Sequence, residues 1–304
     1  MELFDFHAHF FARPFFEALA SQSPLEGTPA EKLSEVSAKT GIELPSEDLS
    51  QHTARWLEEL DRHGVHRMAA FASLPEEAPA VAEAARSSDG RLVPFSLVNP
   101  CAEDAPAKVE RLISELGFRG VLMFPAMHHY AVDGPEARAV FEVLARHRAP
   151  AFVHCGLLVV KLRDLLGLPR AQDIQYANPL SLVPAASTYP EVPFVIPHFG
   201  AGLFREALMA GAQCENIYVD TSSTNSWRKT QPGNPDLPQV FERALEVFGA
   251  ERVLFGTDSN VFPAGWRAER LAEQREALGA LDVSEDEQAA VFGGNAARIL
   301  AEVR

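Results

Sequence analysis

The chain has 304 residues, 47% hydrophobic and 23% charged, which fits a globular protein with room for one large domain or two ordinary ones. Its 42 acidic and 27 basic side chains give a net charge of −15, so nucleic acid and anionic membranes, which require a basic footprint, are not expected partners. No apolar run approaches the ~18 residues of a membrane span. No signal peptide opens the chain, and Cys101, Cys155 and Cys214 are too scattered for a disulfide framework, so a reducing cytoplasm is the expected location.

The first predicted element is a strand, Leu3-Phe4-Asp5-Phe6-His7-Ala8-His9-Phe10. Alternation puts Leu3, Asp5, His7 and His9 on one face and Phe4, Phe6 and Ala8 on the other. The two imidazoles then lie roughly 7 Å apart, at about 3.4 Å of rise per residue, close enough to converge on one metal ion. A core histidine beside a strand-end cap is the other reading of the pair.

A long irregular stretch follows, 11–45, with helical spacing at Phe15, Phe16 and Leu19, a loop from Pro24 to Pro29 and a short helix from Glu31 to Lys39. Connections of that length are usually functional or disordered, and its position directly after His9 suggests a cover over a site. A plain surface insertion is the alternative. Ser46 is the expected N-cap of the next helix, which runs through Trp56 and Leu60 to a C-terminal Gly64.

From there short apolar strands and amphipathic helices alternate. Strands are expected at Val65–Ala72, Leu92–Val98, Gly120–Phe124, Ala151–His154, Phe194–His198, Ile217–Thr221 and Arg252–Asp258, making eight with the first. Such alternation implies a parallel sheet covered by helices. Eight units in this length fit a distorted (β/α)8 TIM barrel, read as one domain over 1–304 with an insertion after the first strand. An open doubly wound sheet fits less well, because no Gly-rich phosphate turn follows the early strands.

Chemistry in such barrels sits at the C-terminal strand ends. Strand one ends in His7 and His9, strand five in Val153-His154-Cys155-Gly156, strand six in Pro197-His198-Phe199-Gly200, and strand eight in Phe255-Gly256-Thr257-Asp258. Four of the ten histidines and one aspartate thus reach the same rim, a pattern that points to a metal site. With Asp5-Phe6-His7-Ala8-His9, Pro193 to Gly202 and Gly294-Asn295-Ala296, these motifs run nearly end to end. In order and spacing the chain resembles the amidohydrolase superfamily, in the branch that includes aminocarboxymuconate-semialdehyde decarboxylase. The resemblance implies a divalent metal, usually zinc, held by His7, His9, His154 and Asp258. It also implies a frequent homodimer. Binuclear members carry a bridging Lys or Glu at the end of strand four; here Gly120-Val121-Leu122-Met123-Phe124-Pro125 has neither, so one ion per chain is expected.

His198 is better placed to act on water or substrate than to complete the shell, and Asp258 combines ligand and proton acceptor. Asp5 is read either as a support behind the histidines or as a carboxylate bonded to backbone. His128, His129, Tyr130, Lys161, Arg163 and the segment Ser222 to Trp227 are weaker substrate-contact candidates, with solvated surface positions as the plainer reading. Cys155 faces away from His154's side of the strand and is not expected to act as a nucleophile. The expected activity is a metal-dependent hydrolase of a small organic molecule using a metal-activated water. A non-oxidative decarboxylase of a conjugated or aromatic acid is the alternative, and a barrel keeping its metal only as a sensor or scaffold is the third.

Overall fold

A computed structural model of the protein describes residues 2–222 and 227–304. All eight expected strands are present: β1 Phe4–Asp5, β2 Arg67–Ala72, β3 Leu92–Leu97, β4 Val121–Met123, β5 Ala151–Val153, β6 Phe194–Ile196, β7 Ile217–Asp220 and β8 Val253–Leu254. They pair in parallel in sequence order. The Phe6 N–H bonds to the Phe255 carbonyl at 2.8 Å, Asp258 N–H to His7 O at 2.8 Å and His9 N–H to Ser259 O at 2.8 Å. These bonds bring the end of β1 against the loop after β8 and close a (β/α)8 barrel. No helix among the described residues is long and apolar enough to cross a membrane.

The strands are short and buried on both faces, as parallel strands enclosed by helices must be. Their inner layer is aromatic. Phe6 meets Phe95 at 5.5 Å and Phe152 at 5.3 Å, and Phe71 meets Phe95 at 5.6 Å and Phe152 at 5.1 Å between ring centroids. This corrects the face assignment of the first strand. Contacts from β1 to β3 and β5 are possible only across the interior, so Phe6 points inward rather than toward the helices. Asp5 points the other way, toward Trp266 just ahead of the helix Ala268–Gly279. The reason is local. Regular pairing stops at Asp5, whose Oδ1 accepts the His7 N–H at 3.1 Å, and a side-chain bond of this kind displaces the ladder and its strict alternation.

The helix after the insertion also starts later than expected. It spans Leu49–His63 with Asp48 as N-cap, while Ser46 bonds the Asp48 N–H instead. The insertion itself folds as two helices, Arg13–Gln22 and Pro29–Thr40. The second begins with a reciprocal Thr28–Glu31 capping box. Phe15, Phe16, Leu19, Leu33 and Val36 pack with Leu166 and Leu168, from the connection after β5, in a cluster separate from the main core. The Ser23 hydroxyl fastens the two segments by donating to the Leu166 carbonyl at 2.6 Å.

Phe152 stands at the centre of the aromatic layer and is 1% exposed, so it has no room to relax if truncated. Phe152→Ala is expected to lower unfolding free energy by ~3–5 kcal/mol and Phe152→Leu by less. Denaturant titration measures this, and a Phe152→Ala midpoint equal to that of the parent would mean that the aromatic layer does not carry the barrel.

Candidate functional site

The rim residues converge where the barrel closes. His7 Nε2 and His9 Nε2 lie 3.7 and 3.2 Å from Asp258 Oδ1, and the candidate ligand atoms of this trio all fall within 4.8 Å of one another. The His198 ring lies 4.7 Å from that of His7 and 5.5 Å from that of His154. All five residues expected at the site are therefore brought together. His7, His154 and His198 are buried, whereas the side chains of His9 and Asp258 keep 16% and 13% of their surface, so the cluster opens to solvent on their side.

The backbone at these positions is unusual. His198 and Asp258 adopt φ of 57° and 58°, a left-handed conformation that costs a non-glycine residue ~1–3 kcal/mol and is held only by its surroundings. Gly256 permits the close approach: a Cβ there would stand 2.7 Å from His7 Cβ and 3.0 Å from Ser222 Cβ. Gly156, at φ 73°, plays the same part after β5, where a Cβ would meet the Gly200 carbonyl oxygen at 2.2 Å.

One residue was missed by reading strands one, five, six and eight. Asp220, at the end of β7, is fully buried. Its Oδ2 accepts His7 Nδ1–H at 2.6 Å, and its Oδ1 accepts the N–H groups of His198 and Ser222 at 3.0 Å each, together with the Ser222 hydroxyl. The strand-end rule applied to β7 would have found it. His7, His198 and Asp220 also form a compact trio. Both carboxylate oxygens of Asp220 are already engaged, so we read it as the support of two imidazoles rather than as a second ion site.

These bonds fix tautomers. With Nδ1–H directed at Asp220, His7 presents the Nε2 lone pair to Asp258's side. His198 Nδ1 lies 2.8 Å from the Ser222 carbonyl, which can only accept, so its Nε2 also carries the lone pair. Burial, reinforced by His198 and His7, pushes His154 down to about 3. Burial and then the neighbouring His7 also lower His198. Burial opposes the charged form of His7, but Asp220 outweighs it and raises the ring above its ordinary value. Burial would raise Asp258 as well; the hydrogen bond from His9 and the charges of His198 and His7 prevail and hold it well below the usual carboxylate range.

The residues fit a cation. His154 Nε2 is buried with no hydrogen-bond partner among the described residues. An unsatisfied buried polar atom costs ~1–3 kcal/mol, and this one is a neutral imidazole nitrogen beside a carboxylate and three other imidazoles, the donor set of a borderline-soft divalent ion.

The remaining candidates divide. Asp5 is bonded to backbone: Oδ1 accepts the N–H groups of His7 and Thr257, and Oδ2 accepts Thr257 Oγ1–H at 2.5 Å and Trp266 Nε1–H at 2.8 Å. Cys155 donates to the Val153 carbonyl, and burial pushes its thiol up to about 12, so it is no nucleophile. His129 bonds the Ala171 carbonyl, while His128 Nδ1 and the Tyr130 hydroxyl are buried without partners among the described residues. Lys161 and Arg163 sit on the short helix Lys161–Leu165. In the segment Ser222 to Trp227, Ser222 joins the Asp220 network and Trp227 is buried near Phe199 and Phe204; 223–226 lie outside the described residues.

Asp220→Asn preserves shape but removes the charge and one acceptor. It is expected to weaken the binding of an added divalent ion by ~10–100-fold, the usual effect of losing a group that orients a ligand. Calorimetric titration checks this, and parent-like affinity would mean that His7 needs no such support.

No curated protein sequence matches the chain. Solved structures do. A 5-carboxyvanillate decarboxylase from Novosphingobium aromaticivorans, with bound manganese and 3-methoxy-4-hydroxy-5-nitrobenzoic acid, superposes with TM-score 0.62 at 14% identity, covering 99% of this chain and 97% of that one. A probable 2-pyrone-4,6-dicarboxylic acid hydrolase from Acinetobacter baumannii, with citric acid bound, gives 0.64 at 13% identity over 99% and 100%. An amidohydrolase from Burkholderia multivorans with bound zinc gives 0.62 at 17% identity over 99% of each chain. At these identities the likeness is one of fold. The Amidohydrolase family model, by contrast, matches residues 4–301 of the sequence itself, and the chain belongs to the amidohydrolase family.

Proposed function

We propose that the protein is a metal-dependent hydrolase of a small organic substrate, with one divalent ion held by His7, His9, His154 and Asp258. The observation that carries the reading is the unpartnered, buried Nε2 of His154, whose ring lies 5.5 Å from that of His198, in a cluster where His7 and His198 are tautomerically set to offer lone pairs. Three imidazoles and a carboxylate favour zinc. The zinc of the Burkholderia amidohydrolase supports that choice, and the manganese of the Novosphingobium decarboxylase makes manganese the competitor to test. The absence of Lys or Glu at the end of β4 supports a single ion. When bound, such an ion supplies Lewis acidity and lowers the pKa of an attacking water.

The chain's own groups supply the proton chemistry. His198 Nε2 accepts a proton from the water, and its Nδ1–H remains anchored on the Ser222 carbonyl. Asp220, bonded to the His198 backbone N–H, lies close enough to stabilise the resulting imidazolium. Asp258, ionised and accepting from His9, is the second acceptor. Neither group is a proton donor at rest, which favours hydrolysis over a reaction that delivers a proton to carbon. Decarboxylation remains the second reading because two partly exposed rings flank the cluster. Phe11 stacks on His9 at 4.8 Å and 21°, and Phe124 on His154 at 5.3 Å and 17°. Flat walls of this kind suit a conjugated acid. The free state of Cys101, Cys155 and Cys214 supports a cytoplasmic location.

The first experiment is a screen of purified protein with lactones, amides and carboxylated aromatics, following acid release against CO2 release. Acid is expected; CO2 without acid overturns hydrolysis in favour of decarboxylation. Roles within the cluster are separable. His154→Ala should lose its metal, whereas His198→Ala should keep close to one ion per chain and lose ~10²–10⁴ in turnover. If both lose the ion equally, His198 is a ligand. Because a base acts in its neutral form and His198 is lowered, the parent's kcat/KM should rise with pH through a pKa below the ordinary imidazole value. His198→Ala should lack that limb.

A further inference from the structure

Behind His9 stands a pair of side chains that no motif marks. The Ser73 hydroxyl, just past β2, lies 2.7 Å from His9 Nδ1. The Ser73 backbone N–H donates to Glu77 Oε2 at 2.8 Å, and the other carboxylate oxygen, Oε1, accepts the Ala12 N–H at 2.7 Å. Glu77 is completely buried in the turn Pro75–Glu77, and no ion pair to it is found among the described residues. Burial pushes its carboxyl up to about 8, against the pull of those two amides.

A buried carboxyl without a cation is an unfavourable choice for ordinary packing. Its geometry explains its presence. A single planar group with two acceptor atoms holds two amides from distant parts of the chain, one on each oxygen. One amide belongs to the residue whose hydroxyl touches His9. The other belongs to Ala12, the N-cap of the helix Arg13–Gln22 and the neighbour of Phe11, whose ring stacks on His9. The hydroxyl behind the imidazole and the ring in front of it therefore hang from one carboxyl group.

We propose that Ser73 and Glu77 are positioning residues for His9: once a cation replaces the proton that His9 Nε2 gives to Asp258, Ser73 accepts His9 Nδ1–H and so keeps the Nε2 lone pair on Asp258's side, while Glu77 holds Ser73 and the root of the insertion in register. The proposal rests on the metal reading above, since an imidazole ligand is oriented through the hydrogen bond of its other nitrogen. It also gives the insertion a stated task, to keep Phe11 against His9.

The test is titration of the metal-free protein with zinc chloride, for the parent, Ser73→Ala, Ser73→Thr, Glu77→Gln and, as a control of the metal reading, His154→Ala. Ser73→Ala and Glu77→Gln should each weaken zinc binding by ~10–100-fold, and Ser73→Thr, which keeps the hydroxyl, should restore it to within about threefold. Two readouts do not depend on affinity. With zinc bound, ring ¹⁵N NMR should show His9 as the Nδ1–H tautomer, its Nδ1–H held on oxygen in the parent and released to exchange with solvent in Ser73→Ala. Hydrogen exchange at Ala12 and Ser73 should accelerate in Glu77→Gln, whose amide NH2 must face one of the two N–H groups. If His154→Ala loses zinc while Ser73→Ala binds like the parent, the metal reading stands and the positioning role is overturned. If the parent itself binds no zinc, the metal reading fails, and unchanged exchange at Ala12 and Ser73 in Glu77→Gln then overturns the positioning role independently.

Discussion

The barrel of this protein is closed by a short strand whose pairing slips register almost as soon as it begins. Phe4 and Asp5 pair with Arg67 and Met68 of β2, and the chain then shifts by one residue so that His9 pairs with Phe71. From Phe6 to His9 it is also held by bonds to the loop after β8, with Phe6 on Phe255, His7 on Asp258 and His9 on Ser259. Asp5 makes this possible by turning its carboxylate outward onto Thr257 and Trp266. Closure and site assembly are consequently one event. The bond from Asp258 N–H to His7 O that seals the barrel also places the Asp258 carboxylate within reach of both histidines. Burial raises Asp5 to about 6, against its four hydrogen bonds, which shows how much desolvation this single fastening absorbs.

Charge within the cluster follows from the same geometry. Burial by itself would neutralise every imidazole, and for His9, His154 and His198 it prevails. His7 alone lies between two carboxylates, Asp220 on Nδ1 and Asp258 on the Nε2 side, and it keeps affinity for a proton. A cation at the Nε2 side would take over the balancing role of that proton, while Asp220 remains outside as the fixed counter-charge. The Nε2 atoms of His7 and His9 and the Asp258 carboxylate lie within 4.8 Å of one another, with access from the His9 and Asp258 side.

The segment 11–45 has its own hydrophobic cluster, and Leu162, Leu165, Leu166 and Leu168, most of what it packs on, come from the connection after β5. Neither piece could bury its apolar face alone, which accounts for the length of both excursions. The link to the site runs through Phe11 and, one residue later, through the amide of Ala12 on Glu77.

The local pattern of residues was enough to establish the eight strands, the barrel and the five rim residues. A parallel strand buried on both faces is written as an unbroken apolar run, and the polar residue that ends it is the one exposed at the rim, so both signals are local. What lay beyond that pattern involves residues that meet only in space. His7 and Asp220 are 213 positions apart, and nothing near either predicts the bond, although the strand-end rule applied to β7 would have picked out Asp220. Asp5 and Phe6 exchanged faces because alternation holds only while register is kept, and the register with β2 slips by one residue between Asp5–Met68 and His9–Phe71. The helix expected from Ser46 began at Leu49 because Asp48 offered the better acceptor to the first free N–H groups. Ser73 and Glu77 looked like ordinary loop residues; only folding set one against His9 and gave the other two distant amides to hold, since hydrogen-bond partners for buried groups are chosen by tertiary position rather than by sequence distance.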